Sequence, residues 1–114
     1  MIKSGKIRGI GMDIAEHRRF NKNAKSVFFK KFFTEREKKH CLSFKDGASR
    51  LAGHFAAKEA VVKAYGGKVF IGKIEIRHSA KGVPEVWIDN KKDKKILISI
   101  SHARGFSCAM AVLI

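Results

Sequence analysis

The chain has 114 residues, 45% of them apolar, which suits one compact domain spanning 1–114 with a modest core. No stretch approaches the ~20 continuous apolar residues of a membrane span, and the opening MIKSGKIRGIGMDI lacks a long apolar h-region, so a cytoplasmic protein is expected. Twenty-five Lys and Arg against ten Asp and Glu leave a formal charge of +15, which attracts a polyanion without specifying which.

The first element read from the pattern is a strand over 6–14. Ile10, Met12 and Ile14 lie on one side, and Gly9, Gly11 and Asp13 on the other. Helical residue types follow from Ile14, and Asp13 with Glu16 three positions on resembles a capping box, so capping alone could account for Asp13. From Glu16 to Lys45 there are ten Lys or Arg, including Arg18, Arg19, Lys22 and Lys25, against three acids; this basic stretch is the expected docking face for an acidic partner. Within it Val27, Phe28, Phe29, Phe32 and Phe33 form an aromatic cluster at near-helical spacing, read as core or subunit interface. Thr34 with Glu37 is a second capping-box signal and predicts a short helix carrying Cys41, Leu42 and Phe44. Cys41 and Cys108 lack the paired spacing of a zinc knuckle or redox motif and are read as reduced, structural thiols.

The longest helical pattern runs from about Gly47 to Tyr65 and stops at Gly66-Gly67. After it the period changes to two, predicting strands over 73–77, 84–89, 95–101 and 106–113, with Lys81-Gly82, Asn90 to Asp93 and Ala103 to Gly105 as separators. The expected fold class is α+β, one long and several short helices against a mostly antiparallel sheet.

On a helical wheel with Leu51 at zero, Phe55, Val62 and Tyr65 fall within ~40° and define the expected buried stripe. Glu59 lies at about 80°, Lys63 at about 120°, and Lys58 near ~340°, inside the apolar arc. Lys58 is read as laying its stem over apolar neighbours and lifting its ammonium into water. A half-buried carboxylate needs a partner. Helical geometry alone favours an ordinary Glu59 to Lys63 pair, worth ~0.3 kcal/mol. Asp13 adds a second reading, because two carboxylates and a lysine suit a hard divalent cation beside a phosphate-bearing substrate. Ser99-Ile100-Ser101-His102 ends a strand, with His102 at an exposed corner, free to bind an anion or simply solvated.

Three segments in order, Gly9-Ile10-Gly11-Met12-Asp13-Ile14, then Phe55-Ala56-Ala57-Lys58-Glu59-Ala60 with Lys63-Ala64, then Ser99-Ile100-Ser101-His102, resemble the holo-acyl-carrier-protein synthases, the small bacterial type of 4'-phosphopantetheinyl transferase. Phe33-Thr34 with Glu37, and Ile74-Glu75-Ile76 with Gly82 and Pro84, extend the likeness over nearly the whole chain. The resemblance implies transfer of 4'-phosphopantetheine from coenzyme A to a serine of apo-acyl carrier protein, leaving adenosine 3',5'-bisphosphate. Asp13 and Glu59 match the family's magnesium ligands, and Lys63 would stabilise charge on the phosphate oxygens. The serine proton would pass to Glu59 or to a metal-bound water. By the same likeness Ser101 and His102 hold the nucleotide end of coenzyme A, and Arg18 and Arg19 meet the acidic recognition helix of the carrier. His54 stands where an arginine is frequent, which implies a weaker or pH-dependent phosphate contact. The stretch from Tyr65 to Lys73 is shorter than the family pattern. A single-fold chain of this family is a homotrimer with clefts between neighbours. The aromatic cluster and the C-terminal strand are the candidate interfaces.

The rival from another class is a nucleic-acid-binding module, motivated by the charge together with nine Phe, one Tyr and one Trp. It leaves Asp13, Glu59 and the Ser-Ile-Ser-His turn without a role, and no RNP-like aromatic strand, zinc spacing or recognition helix accompanies it. An inactive relative kept as a scaffold is disfavoured by the presence of Asp13, Glu59 and Lys63 together.

Overall fold

A computed structural model describes residues 6–21 and 27–114; Lys22 and Lys25 of the basic stretch, and the Val27 and Phe28 side chains, lie outside the described residues. The fold is α+β, as expected. Strand β1 (Gly9–Glu16) runs into a 3-10 turn (His17–Phe20). Helices α1 (Val27–Phe32), α2 (Glu35–Leu42) and α3 (Gly47–Ala64) follow. Strands β2 (Ile74–His78), β3 (Pro84–Ile88), β4 (Lys91–Lys92), β5 (Ile96–Ala103) and β6 (Phe106–Leu113) complete the chain. They form two antiparallel sheets, ordered β1-β6-β5 and β2-β3-β4. β4 falls where a separator was expected. Asp89 and Asn90 both take positive φ, 51° and 64°, and make a two-residue hairpin turn that folds Lys91 back beside Ile88. The lysine pair carries no alternating apolar signal, so the pattern gave no hint of a strand there.

The first strand begins later than its pattern suggested, at Gly9, and runs on past Ile14 to Glu16. Asp13 lies inside β1 opposite Ala109, and the 3-10 turn after Glu16 has no side-chain cap, so Asp13 is not a helix cap. Its face of the strand is set by the two glycines before it. A Cβ built on Gly9 would lie 1.9 Å from the Ala64 carbonyl oxygen, and one on Gly11 1.9 Å from that of Ala60. The bare strand therefore rests directly on the backbone of α3, and the next residue on that face, Asp13, arrives beside the helix.

Helix α3 is not a one-striped amphipath. Thirteen of its 18 residues are buried, because β1, β5 and β6 cover one side and α2 with β2 the other. Ala52, Ala56 and Ala60 are fully enclosed, whereas Val62 and Tyr65 of the expected stripe are only partly buried. The helix ends as the glycines predicted. Gly66 N–H donates to Lys63 O at 3.0 Å and Gly67 N–H to Val62 O at 2.9 Å, a Schellman motif with both glycines at positive φ.

The capping box at α2 forms, and it does more than cap. Glu37 N–H donates to Thr34 Oγ1 at 3.2 Å, and Thr34 N–H to Glu37 Oε1 at 3.1 Å. The Glu37 carboxylate is fully buried and also accepts from Ile76 N–H at 3.1 Å, from the His54 ring at 3.0 Å and from Lys58 Nζ. Lys58 does not reach water, contrary to its expected role as a surface cation. It is 1% exposed, bound to Glu37 and to the Phe32 carbonyl, because an ammonium inside the core is tolerated only when it is paired and hydrogen-bonded.

Phe29 and Phe33 are likewise buried, with ring centroids 5.6 Å apart, and Phe33 meets Phe20 edge-on at 6.0 Å. These rings are core and offer nothing to a subunit interface. Both cysteines are free, as expected, and burial pushes the Cys41 thiol up to about 12, so it is inert.

The glycine crossing gives a direct test. Gly11→Ala should cost about 3 kcal/mol or more in urea unfolding, since neither the strand nor the Ala60 carbonyl can retreat. A loss under ~0.5 kcal/mol would mean that the crossing is loose.

Candidate active site

Where β1 crosses α3, three of the sequence-predicted residues meet. Lys63 does not pair along the helix with Glu59. Its Nζ reaches across to β1, donating to the Met12 carbonyl at 2.9 Å and lying 3.3 Å from Asp13 Oδ1. Among the described residues no hydrogen bond or ion pair engages the Glu59 carboxylate, which is half-buried on the same side. Its pKa is raised above the ordinary 4.5 by burial first and by the negative charge of Asp13 second, with Lys63 and Arg19 opposing. The ordinary i,i+4 ion pair is thus absent. A pair of neighbouring carboxylates, one without a partner and both offering hard oxygen donors, is a donor set that fits a magnesium-like cation.

Arg19 stands at this site as well as on the basic surface. Its guanidinium lies 5.3 Å from the Phe55 ring centroid, and its charge is felt by Glu59. Arg18 points away, its side chain 83% exposed and 3.1 Å from Glu16.

A second constellation lies around the N-terminal half of α3. A cavity of about 410 Å³ is lined by Arg50, His54, Ser99 and His102, together with His40 and His78. Two predicted residues are therefore in one cavity, but Ser101 is not. Alternation along β5 puts His102 on the α3 side and Ser101 on the outer face, in one row with Cys108 and Ile14. His102 Nδ1 is 2.7 Å from Ser107 Oγ, which is also 2.9 Å from His17 Nε2 and donates to the Ser49 carbonyl at 2.9 Å. Burial, and then the charge of Arg50, holds His102 below the ordinary imidazole pKa. The permanent cation here is Arg50, 3.4 Å from Asp46. Sequence reading overlooked it, although its place one turn before His54 on the same helix face was a usable signal. Ser107 carried no signal, since a lone serine in an apolar strand has no pattern.

The outer face of the β1-β6-β5 sheet is apolar and uncovered. Ile10, Met12 and Ile14 are each about 60% exposed (63%, 59% and 61%), and Leu97, Phe106 and Met110 extend the patch across the sheet. No helix among the described residues is long and apolar enough to cross a membrane.

Comparison with known proteins identifies the family. The chain belongs to the 4'-phosphopantetheinyl transferase superfamily, whose family model matches residues 9–111. It is 39% identical to the holo-[acyl-carrier-protein] synthase of Chlamydia trachomatis serovar L2, over 91% of this chain and 97% of that one. The Chlamydia caviae synthase is 44% identical over 90% and 93% of the two chains. In structure the chain is similar to the synthase of Bacillus anthracis, in complex with CoA (3',5'-ADP), at a TM-score of 0.76 and 33% identity, covering 94% and 96%. The Helicobacter pylori synthase in complex with coenzyme A gives 0.75 and 30%, covering 92% and 99%. The motif resemblance is borne out.

The raised Glu59 pKa carries a signed consequence. Because the folded value lies above the unfolded 4.5, ionised Glu59 opposes folding, and stability is lost as pH rises from 4.5 through the folded value. In metal-free buffer at pH 7.5, Glu59→Gln should raise Tm by a few degrees, with the gain vanishing well below pH 4.5. An unchanged or lower Tm at pH 7.5 would contradict the half-buried, unpaired carboxylate.

Proposed function

We propose that this chain transfers the 4'-phosphopantetheine group of coenzyme A to a serine of apo-acyl carrier protein, releasing adenosine 3',5'-bisphosphate. The observation that carries the reading is the meeting of Asp13, Glu59 and Lys63 at the crossing of β1 and α3, the same three residues that the family resemblance singles out.

Asp13 and Glu59 are the pair that would hold magnesium. Held by them, such an ion would offset the charge of the pyrophosphate and so favour attack on its β-phosphorus. Lys63, anchored by the Met12 carbonyl, keeps its ammonium at the site and offers its remaining proton to the phosphate oxygens as their charge grows. Glu59, its pKa raised by burial and by the charge of Asp13, would take the proton of the carrier serine as its Oγ bonds to phosphorus. The bond from phosphorus to the bridging oxygen breaks, and the adenosine bisphosphate departs. Arg50, His54 and His102 line the cavity that suits the nucleotide phosphates, with Arg50 as the permanent charge. Ser101, on the outer face, can take part only where a neighbouring chain brings the nucleotide to it. Arg18, outward-facing and paired only with Glu16 among the described residues, is the cation for the carrier's acidic helix, while Arg19 serves both the carrier and the field at Glu59. The whole of 1–114 acts as one cytoplasmic transferase domain in this reading.

Mass spectrometry of a purified apo-carrier incubated with coenzyme A, magnesium and this enzyme should show one added phosphopantetheine, lost with EDTA or Glu59→Ala. In the same assay Arg18→Glu should raise the carrier KM about tenfold, a loss of ~1.4 kcal/mol, and leave the coenzyme KM unchanged. An unmodified carrier, with tight salt-dependent RNA binding instead, would favour the nucleic-acid reading.

The exposed apolar sheet face supports a homotrimer with active sites between subunits. Glu59 and His54 lie on faces of α3 about 140° apart, so one chain presents the carboxylates and the cavity in different directions. A neighbour closing on β1 would supply the missing wall. Sedimentation should give three times the 12.8 kDa chain mass, and Met12→Asp should release monomers. A fully active wild-type monomer would overturn this assembly.

A further inference from the structure

Three histidines from three different elements converge at the mouth of the cavity. His40 is in the last turn of α2, His54 is inside α3, and His78 ends β2. One ring nitrogen from each lies within 4.8 Å of the other two. His40 stacks on His78 with centroids 4.3 Å apart, and His54 stacks on His78 at 5.1 Å. The resemblance assigns no role to His40 or His78, and the transfer reaction uses neither.

The protons around these rings can be placed from their partners. Glu37 is held below the ordinary carboxylate pKa despite its burial, chiefly by the hydrogen bond from His54 and the charge of Lys58, so it is ionised and can only accept. His54 Nδ1, 3.0 Å from Glu37 Oε2, therefore carries a hydrogen. Burial, with the neighbouring His54 next, pushes the pKa of His78 down to about 4, so its ring is neutral. His54 thus turns a lone pair on Nε2 away from Glu37, and the neutral His78 ring carries a single hydrogen. Their Nε2 atoms then face each other at 2.9 Å. That contact is a hydrogen bond from His78 Nε2–H to the His54 Nε2 lone pair, and a metal ion can replace its proton once His78 takes its other tautomer.

A carboxylate on the remote nitrogen of an imidazole is the usual orienting device of metal-binding histidines, since it fixes the tautomer and raises ligand basicity. His54 is 3% exposed and is held by Glu37 in that way before any ligand arrives. The buried cation beside the cluster, Lys58, is neutralised by Glu37, and the charge of Arg50 on the cavity wall is partly offset by Asp46 at 3.4 Å. The cavity supplies an entry path and room for a water as fourth ligand.

We propose that His40, His54 and His78 form a three-imidazole site for a late first-row divalent metal of the zinc class, tying α2, α3 and β2 together. Nitrogen donors select this class over magnesium, whose preference is oxygen. Tetrahedral coordination at ~2.05 Å separates ligand nitrogens by roughly 3.3 Å, so the His54–His78 contact opens by about 0.4 Å and His40 turns out of its stack. The site is separate from the oxygen donors of Asp13 and Glu59 and does not depend on the transfer reaction. Binding needs all three imidazoles neutral, so protons compete with the metal and affinity falls as pH is lowered.

Cobalt(II) is a visible probe for this site. Titrated into tag-free protein at pH 7.5, it should give a saturable ligand-field band at one equivalent, erased by EDTA and unaffected by a large excess of magnesium. His40→Gln and His78→Gln, both checked for native circular dichroism, should each weaken cobalt binding about tenfold or more. Glu59→Gln should keep the band, which separates this site from the carboxylate pair. Added zinc should raise the Tm of the wild type and not of the His78→Gln protein. Absence of a saturable band, wild-type affinity in either histidine variant, or loss of the band in Glu59→Gln would overturn the proposal.

Discussion

The structure depends on one buried carboxylate. Glu37 has no contact with solvent, yet it accepts from the Thr34 and Ile76 amides, from the His54 ring and from the Lys58 ammonium. Those donors belong to the entry of α2, to β2 and to two successive turns of α3. Removing one partner of such a cluster leaves a charge uncompensated in the core, typically a cost of ~3–5 kcal/mol. The arrangement thus fixes the rotation of α3 about its own axis. With Lys58 and His54 turned inward to Glu37, Glu59 and Lys63 are turned toward β1.

The second constraint is steric and works at the other end of the same helix. Gly9 and Gly11 let β1 lie against the Ala60 and Ala64 backbone, closer than any side chain allows. Asp13 then reaches Lys63, and its charge reaches Glu59. The outcome is a local conflict between stability and chemistry. Glu59 sits half-buried, beside a like charge and without a partner, and a group in that state favours whatever cation or proton relieves it.

The surface divides accordingly. The outer sheet face is apolar and suited to another copy of the chain, the charged excess is spread over the helices and turns, and the cavity beside α3 is rimmed by histidines whose pKa values burial depresses. Near neutral pH the cavity's attraction for anions therefore rests on Arg50 more than on His40, His78 or His102.

The sequence by itself determined the fold class, the Thr34 capping box, the Gly66-Gly67 helix end and nearly every strand, because those signals are local: turn residues, caps and periods of two or 3.6. It also determined which residues to suspect, since Asp13, Glu59 and Lys63 stood in a recognisable order. Tertiary structure alone decided what each suspect touches. The i,i+4 spacing of Glu59 and Lys63 predicted a pair, but the glycine crossing brought Asp13 nearer and took the lysine. Lys58 looked like a surface cation and became a core ion, because its acceptor Glu37 is 21 residues away in sequence and no local pattern joins them. Ser101 and His102 are neighbours in the chain and lie on opposite sides of a sheet. The histidine cluster was invisible for the same reason: its members are drawn from three elements, and only packing brings them together.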